Sequence, residues 1–193
     1  LEISLVDKGR RRIVYAKAEY YNYAGRIEDR VACHVLRQAY ETGAIAEGMP
    51  IAEATSGNTG IAFAAIGAYL GNPVTIFMPD WMSKERINLI ESFGATIRLV
   101  SKVEGGFTGS IAHADQMGET EGAFLPPPFS NPETYAAHYA TTGKEILAQL
   151  AAFGKRPQGF VAGVSTGGTL MGVKDILQET YPDCLAFPLD PAS

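Results

Sequence analysis

Cysteine is scarce in this sequence, with two residues, Cys33 and Cys184, among 193. Two cysteines are too few for a disulfide-rich framework, and they lie far apart with no metal-type spacing. Both are expected to be buried, reduced thiols of a cytoplasmic protein. Long apolar runs are missing too. The leanest stretch, Ile61 to Leu70, is too short to cross a bilayer, so no membrane partner is expected. Positive charge is in deficit: 16 Lys and Arg against 21 Asp and Glu leave a net −5. That balance argues against nucleic acid or an anionic membrane as the main partner. There is no fixed internal repeat, no low-complexity tract and no visible secretory leader. The chain opens on Leu1 and closes on Asp190-Pro191-Ala192-Ser193 just after an apolar stretch. Both ends read as cut, and the fold is expected to be truncated at the C-terminus.

Glycine is plentiful at 21 residues, and many follow apolar runs. That is the habit of an α/β protein with tight strand-to-helix turns. Arg12 to Tyr20 reads as a strand. Asp29 to Thr42 carries Val31, Val35, Leu36 and Tyr40 at helical spacing, with Gly43 as its stop. Pro50 to Glu53 is a short strand, and Ile61 to Leu70 a helix buried on most sides. Val74 to Met78 and Thr96 to Val100 are strands around a helix that Ser83 caps and Gly94 ends. A helix over Phe107 to Glu119, a brief strand at Ala123 to Leu125 and an extended triple proline follow. Pro132 opens one long helix, Glu133 to Leu150. Gly159 to Val164 is a strand, Leu170 to Tyr181 a helix, and Leu185 to Pro188 starts another strand. Such alternation predicts mainly parallel sheets with helices on both sides, a three-layer α/β architecture.

Two turns carry the chemistry. Thr55-Ser56-Gly57-Asn58-Thr59-Gly60 and Ser165-Thr166-Gly167-Gly168-Thr169 each join a strand to a helix. A helix start offers unpaired N–H groups and the positive end of its dipole, and so suits an anion. Glycine lets the ligand approach the backbone, and hydroxyls add donors. Neither turn matches a Walker P-loop or a dinucleotide fingerprint. Together they predict one small ligand with two anionic ends.

The first turn is similar to the substrate loop of the cysteine synthases (O-acetylserine sulfhydrylases) and their cystathionine β-synthase relatives. Met78-Pro79-Asp80-Trp81-Met82-Ser83-Lys84-Glu85-Arg86 resembles that family's helix entry, and Ser165 to Thr169 its phosphate cup. The resemblance covers nearly the whole chain, in order. It implies the pyridoxal-phosphate fold type II, like the tryptophan synthase β-subunit, with a large domain and a small movable one. We place the large domain at 1–73 and 119–193 and the small one at 74–118. By resemblance, Ser165, Thr166, Gly167, Gly168 and Thr169 hold the cofactor phosphate and Asn58 the ring hydroxyl. Thr55, Ser56, Gly57 and Thr59 grip the substrate carboxylate. The implied reaction is β-replacement: an activated serine such as O-acetylserine loses its leaving group, and sulfide adds to give L-cysteine. A small amino-acid substrate and a homodimer are the implied partners.

The sequence also departs from the family. Its cofactor lysine lies in a Gly-Ser-x-Lys-Asp-Arg stretch, where this chain has Gly25-Arg26-Ile27-Glu28-Asp29-Arg30. A carboxylate cannot form an imine, so Glu28 marks the catalytic position without its chemistry. Lys17, the nearest lysine, reads as a solvated or lobe-edge residue. Pro128 stands where the family has a glutamine that helps to hold the substrate carboxylate. Two main readings stay open: an enzyme whose lysine has been replaced, and a catalytically inactive homologue with a binding or regulatory role. A third, another type II lyase such as a serine or threonine dehydratase, is disfavoured because the Met82-Ser83-Lys84-Glu85-Arg86 stretch most resembles cysteine synthases.

The remaining candidates read as ordinary. His34, His113 and His138 lack metal-ligand spacing with a carboxylate, so no metal is expected. Tyr20, Tyr21 and Tyr23 suit packing or subunit contact. Arg10-Arg11-Arg12 is expected as a solvated hairpin turn.

Overall fold

The computed structural model describes residues 1–55, 57–127 and 131–190. The chain starts with an antiparallel hairpin, β1 (Glu2–Asp7) and β2 (Arg10–Tyr15). Its turn is Lys8-Gly9, both at positive φ (47° and 74°), which is the twist a two-residue hairpin requires. The three arginines expected in the turn therefore lie on β2 itself. Arg11 falls on one face with Ile13 and Tyr15, and Arg10 and Arg12 on the other with Val14. The strand expected to run to Tyr20 stops at Tyr15, and a short 3-10 turn covers Glu19–Tyr21.

Helix α1 (Glu28–Thr42) buries Val31, Ala32, Val35, Leu36 and Ala39, one stripe at helical spacing. Gly43 ends it in the left-handed region at φ 75°. Cys33 falls on the opposite side of the stripe and is exposed, whereas Cys184 is buried. The expectation of two buried thiols is thus corrected at Cys33.

The central sheet is parallel, in the order β3 (Ile51–Ala54), β4 (Val74–Pro79), β5 (Thr96–Val100). Its side chains alternate between two cores. Ile51, Ile76 and Met78 meet α1, the apolar helix α2 (Asn58–Leu70) and Ile90 of α3 (Lys84–Ser92). Ala52 and Phe77 meet Ala114 of α4 (Gly106–Glu121) on the other face. This is the expected helix–sheet–helix layering. Phe124 adds an isolated bridge to Ile51 in place of the brief strand foreseen there.

A second parallel pair, β6 (Gly159–Gly163) and β7 (Leu185–Leu189), packs on α7 (Gly168–Thr180) through Phe160, Val173 and Leu177. The long helix expected from Glu133 is interrupted. It runs as α5 (Asn131–His138), a π-helical turn (Tyr139–Gly143) and α6 (Lys144–Ala152). One extra residue per turn re-aims the helix, a feature common near functional sites. Pro128 lies outside the described residues.

Helix α1 is the bridge between the two sheet systems, since it packs on both α2 and α5. A charge cluster fixes its start. Arg30, only 9% exposed, donates to both oxygens of Glu145 at 2.8 Å and to Glu19 at 2.6 and 3.0 Å. Lys17 joins Glu145 at 2.8 Å, so it is ion-paired rather than simply solvated. These contacts raise the Arg30 pKa and hold the Glu145 carboxyl down at about 2, with the Arg30 guanidinium as the main cause.

Candidate functional site

The site sits where three helix starts converge. The starts of α1 and α7, with Thr59 in the first turn of α2, face a cavity of about 270 Å³. Its walls are Ile27, Glu28 and Val31 of the α1 region, Thr59, Thr134 and His138 of α5, Gly163, and the whole turn Ser165 to Thr169. A wider, shallower hollow of about 510 Å³ lies between Ala44, Met49, Asp115, Gly118 and Phe124. It holds none of the residues singled out above, so size does not decide which hollow carries chemistry.

The α7 end is built for an anion. Gly167 adopts φ +82°, a conformation that side chains resist. The first N–H groups of the 13-residue helix α7 have no partners within it. Helix α7 also lies unusually close to α5. A methyl group added at Gly168 would meet Thr134 Cβ at 2.5 Å, and one at Gly172 would meet the Tyr135 carbonyl oxygen at 2.5 Å. Absence of side chains at these two positions brings Thr134 and His138 into the wall.

Glu28 is the first residue of α1, and its Oε1 accepts a hydrogen bond of 3.0 Å from Asn58 Nδ2. Arg26 Nε donates to Asn58 Oδ1 at 3.2 Å, and Arg26 Nη1 to the Ala24 carbonyl at 2.8 Å. The amide of Asn58 is thereby oriented from both sides. Asp29, buried next to them, takes N–H bonds from Ala24 (2.7 Å) and Arg26 (3.4 Å), while its Oδ1 has no hydrogen bond. Burial raises its pKa against these donors.

Of the residues expected at the site, Glu28, Thr59 and Ser165 to Thr169 share the cavity. Asn58 reaches it only through Glu28. Thr55 is buried and its Oγ1 accepts the Gly57 N–H at 3.2 Å; neither residue is part of the wall. Ser56 lies outside the described residues.

Sequence reasoning missed Ile27, Val31, Thr134 and His138. His138 is 1% exposed, its Nδ1 is 2.8 Å from Thr142 Oγ1 across the π-helical turn, and burial pushes its pKa down to about 4. A His and a Thr four residues apart on a buried helix face was the available signal. His34 lies 3.7 Å from Glu133, and His113 stacks on Phe77. Tyr20, Tyr21 and Tyr23 are exposed. Among the described residues no group of three His, Cys, Asp or Glu could hold a metal ion, and no helix is long and apolar enough to cross a membrane.

Comparison with known proteins gives this geometry a lineage. The profile of the family described as "Pyridoxal-phosphate dependent enzyme" matches residues 4–192. The chain belongs to that family. It is 40% identical to a cysteine synthase of Staphylococcus aureus over 92% of its own length and 56% of the relative's. It is 37% identical to a probable cysteine synthase of Bacillus subtilis, covering 93% and 58%. A solved hydrogen sulfide-producing enzyme from Fusobacterium nucleatum is 48% identical, with a TM-score of 0.87 over 99% of this chain and 57% of that one. The chain therefore spans somewhat over half the length of these relatives. The fold is that of the type II pyridoxal-phosphate enzymes.

The walls fit one end of that cofactor. The Ser165 to Thr169 turn, with its positive φ and helix start, suits a phosphate. The other end does not fit a covalent link. The group facing the cavity is the Glu28 carboxylate, which has no nitrogen to form an imine.

Proposed function

We propose that this chain carries the cofactor and substrate turns of a β-replacement protein of the cysteine synthase type. The overall reaction joins sulfide to an activated serine such as O-acetylserine, giving L-cysteine and the released leaving group. The observation that carries the reading is one cavity walled by Glu28, Thr59 and Ser165 to Thr169. In it the α7 start takes the cofactor phosphate through backbone N–H groups and hydroxyls. Thr55, Ser56, Gly57 and Thr59 take the substrate carboxylate, with Thr59 the member on the cavity wall, and Asn58, whose amide is bonded to Glu28 and Arg26, is the candidate for the ring hydroxyl. Close contact of α5 and α7 at Gly168 and Gly172 packs Thr134 and His138 against the α7 start. The smaller movable lobe belongs to the β3–β5 sheet in this reading, a revision of the 74–118 span. A boundary at residue 73 would cut the ladder from Ile51–Val74 to Ala54–Phe77. A homodimer and a reducing cytoplasm go with the proposal; the exposed thiol of Cys33 suits the latter.

A second reading, an inactive homologue with a binding or regulatory role, is favoured by one specific observation. Glu28 is tied into the Arg26–Asn58 chain of hydrogen bonds, and the nearest lysine in sequence, Lys17, is engaged by Glu145. The two are separated by adding pyridoxal phosphate to the whole chain and to Glu28→Lys, then treating both with borohydride. Wild type should gain no reducible link at this site. Glu28→Lys should gain one and turn over O-acetylserine with sulfide. A link without turnover selects the inactive homologue. Failure of both proteins to bind any phosphate ligand removes the site altogether.

A further inference from the structure

We propose that Glu28 makes this cavity select a ligand that carries a primary ammonium as well as a phosphate, so that pyridoxamine 5′-phosphate is held, without a covalent bond, in preference to pyridoxal 5′-phosphate. The inference rests on the phosphate role assigned above to Ser165 to Thr169. It follows from the misfit between a carboxylate and an aldehyde.

The cavity has two electrically opposite walls. One is the α7 start, whose first N–H groups have no partners within the helix and which carries the positive dipole end. The other is Glu28. Its Oε1 is held by Asn58 Nδ2, and Arg26 on Asn58 Oδ1 prevents the amide from turning its oxygen toward the carboxylate. Among the described residues Oε2 has no hydrogen-bond partner, and no lysine, arginine or histidine forms an ion pair with Glu28. His138, on the same wall system, is kept neutral by burial and supplies no counter-charge near neutral pH. A negative, oriented group thus faces the cavity with no direct ion-pair partner among the described residues, the Arg26 guanidinium standing one amide away on Asn58 Oδ1.

An aldehyde brought to that wall sets a carbonyl oxygen against a carboxylate, with no donor between them. An aminomethyl group brings an ammonium, and a hydrogen bond between two charged groups is about twice as strong as a neutral one. The phosphate contacts are common to both ligands and cancel in the comparison. The volume of about 270 Å³ suits one compact ring with short arms, since larger ligands occupy sites of roughly 300–1,000 Å³.

Calorimetric titration of the whole chain with pyridoxamine phosphate, pyridoxal phosphate and inorganic phosphate tests this. The wild-type chain should bind pyridoxamine phosphate on the order of tenfold more tightly than pyridoxal phosphate. Inorganic phosphate should compete with both. Glu28→Gln, which keeps shape and hydrogen bonding, should bring the two affinities together. Glu28→Lys should reverse the order and give a borohydride-fixable link to the aldehyde form. Equal affinities in wild type, or a preference unchanged in Glu28→Gln, overturn the selectivity and leave the site reading standing. If none of the three phosphates binds wild type or either variant, both fall together.

Discussion

Gly172→Ala sets two effects of opposite sign against each other. Replacing a mid-helix glycine by alanine stabilises a helix by about 1 kcal/mol in the absence of other contacts. Here the new methyl group would sit 2.5 Å from the Tyr135 carbonyl oxygen, 2.9 Å from the Tyr139 amide nitrogen and 3.3 Å from His138 Cβ. The first two are backbone atoms of the facing helix and cannot escape by changing rotamer. Relief needs α5 and α7 to part by roughly 0.5–0.9 Å, and a gap of that size forfeits a quarter to a half of each contact's dispersion energy. Overpacking of this kind costs about 1–3 kcal/mol, and rigid neighbours put this site in the upper half of that range. The net expectation is a loss of about 1–2 kcal/mol. Urea unfolding followed by circular dichroism should show a lower midpoint with an unchanged slope. Because Thr134 and His138 ride on α5, affinity for pyridoxamine phosphate should fall in the same variant. A Gly172→Ala chain as stable as wild type would refute the reasoning, since the spacing of α5 and α7 would then not depend on glycine.

Two further outcomes concern titratable groups, the buried His138 and the half-buried Glu53 of β3. Burial lowers the His138 pKa from 6.5 to about 4. The unfolded chain therefore binds more protons between those values, and stability should decline as pH falls from about 6.5 to 4. His138→Asn should flatten that part of a pH–stability profile measured by urea melts. Glu53 behaves in the opposite sense: burial raises its pKa from 4.5 to about 8. Its acid form is favoured in the fold, so the stability it contributes is present below about 4.5 and lost as pH rises toward 8. Glu53→Gln should be more stable than wild type at pH 8 and differ little at pH 4; equal melting temperatures at both would refute the assignment.

The sequence by itself determined the local order of the fold, because that order is written in short-range periodicity. The stripe from Val31 to Ala39, the strand Thr96–Val100 and the helix stop at Gly43 lie where spacing and backbone preference put them. The two anion-type turns were legible for the same reason, as each is a contiguous run rich in glycine and hydroxyl residues. Strand β1 escaped notice although Leu1, Ile3 and Leu5 alternate with Glu2 and Ser4, because no turn dipeptide of the usual kind precedes β2 and the arginines themselves read as the turn. The break in the long helix escaped too. Thr141-Thr142-Gly143 are weak helix formers and mark a soft point in 133–150, but they do not by themselves specify a π-helical turn, which Gly143 makes possible by packing under Ile176 of α7.

Only the tertiary structure decided that Glu28, Thr59, His138 and the turn at 165–169 surround one cavity. Those residues are separated by up to 141 positions, and no local preference couples them. Their meeting depends on α1 packing against both α2 and α5, and on α7 approaching α5 where Gly168 and Gly172 leave room. The charge of the far wall was readable at position 28, but its orientation by Asn58 and Arg26, 32 residues apart, was not. Side-chain geometry across such a span is set by packing, which acts through distance in space and leaves no spacing in the chain to read.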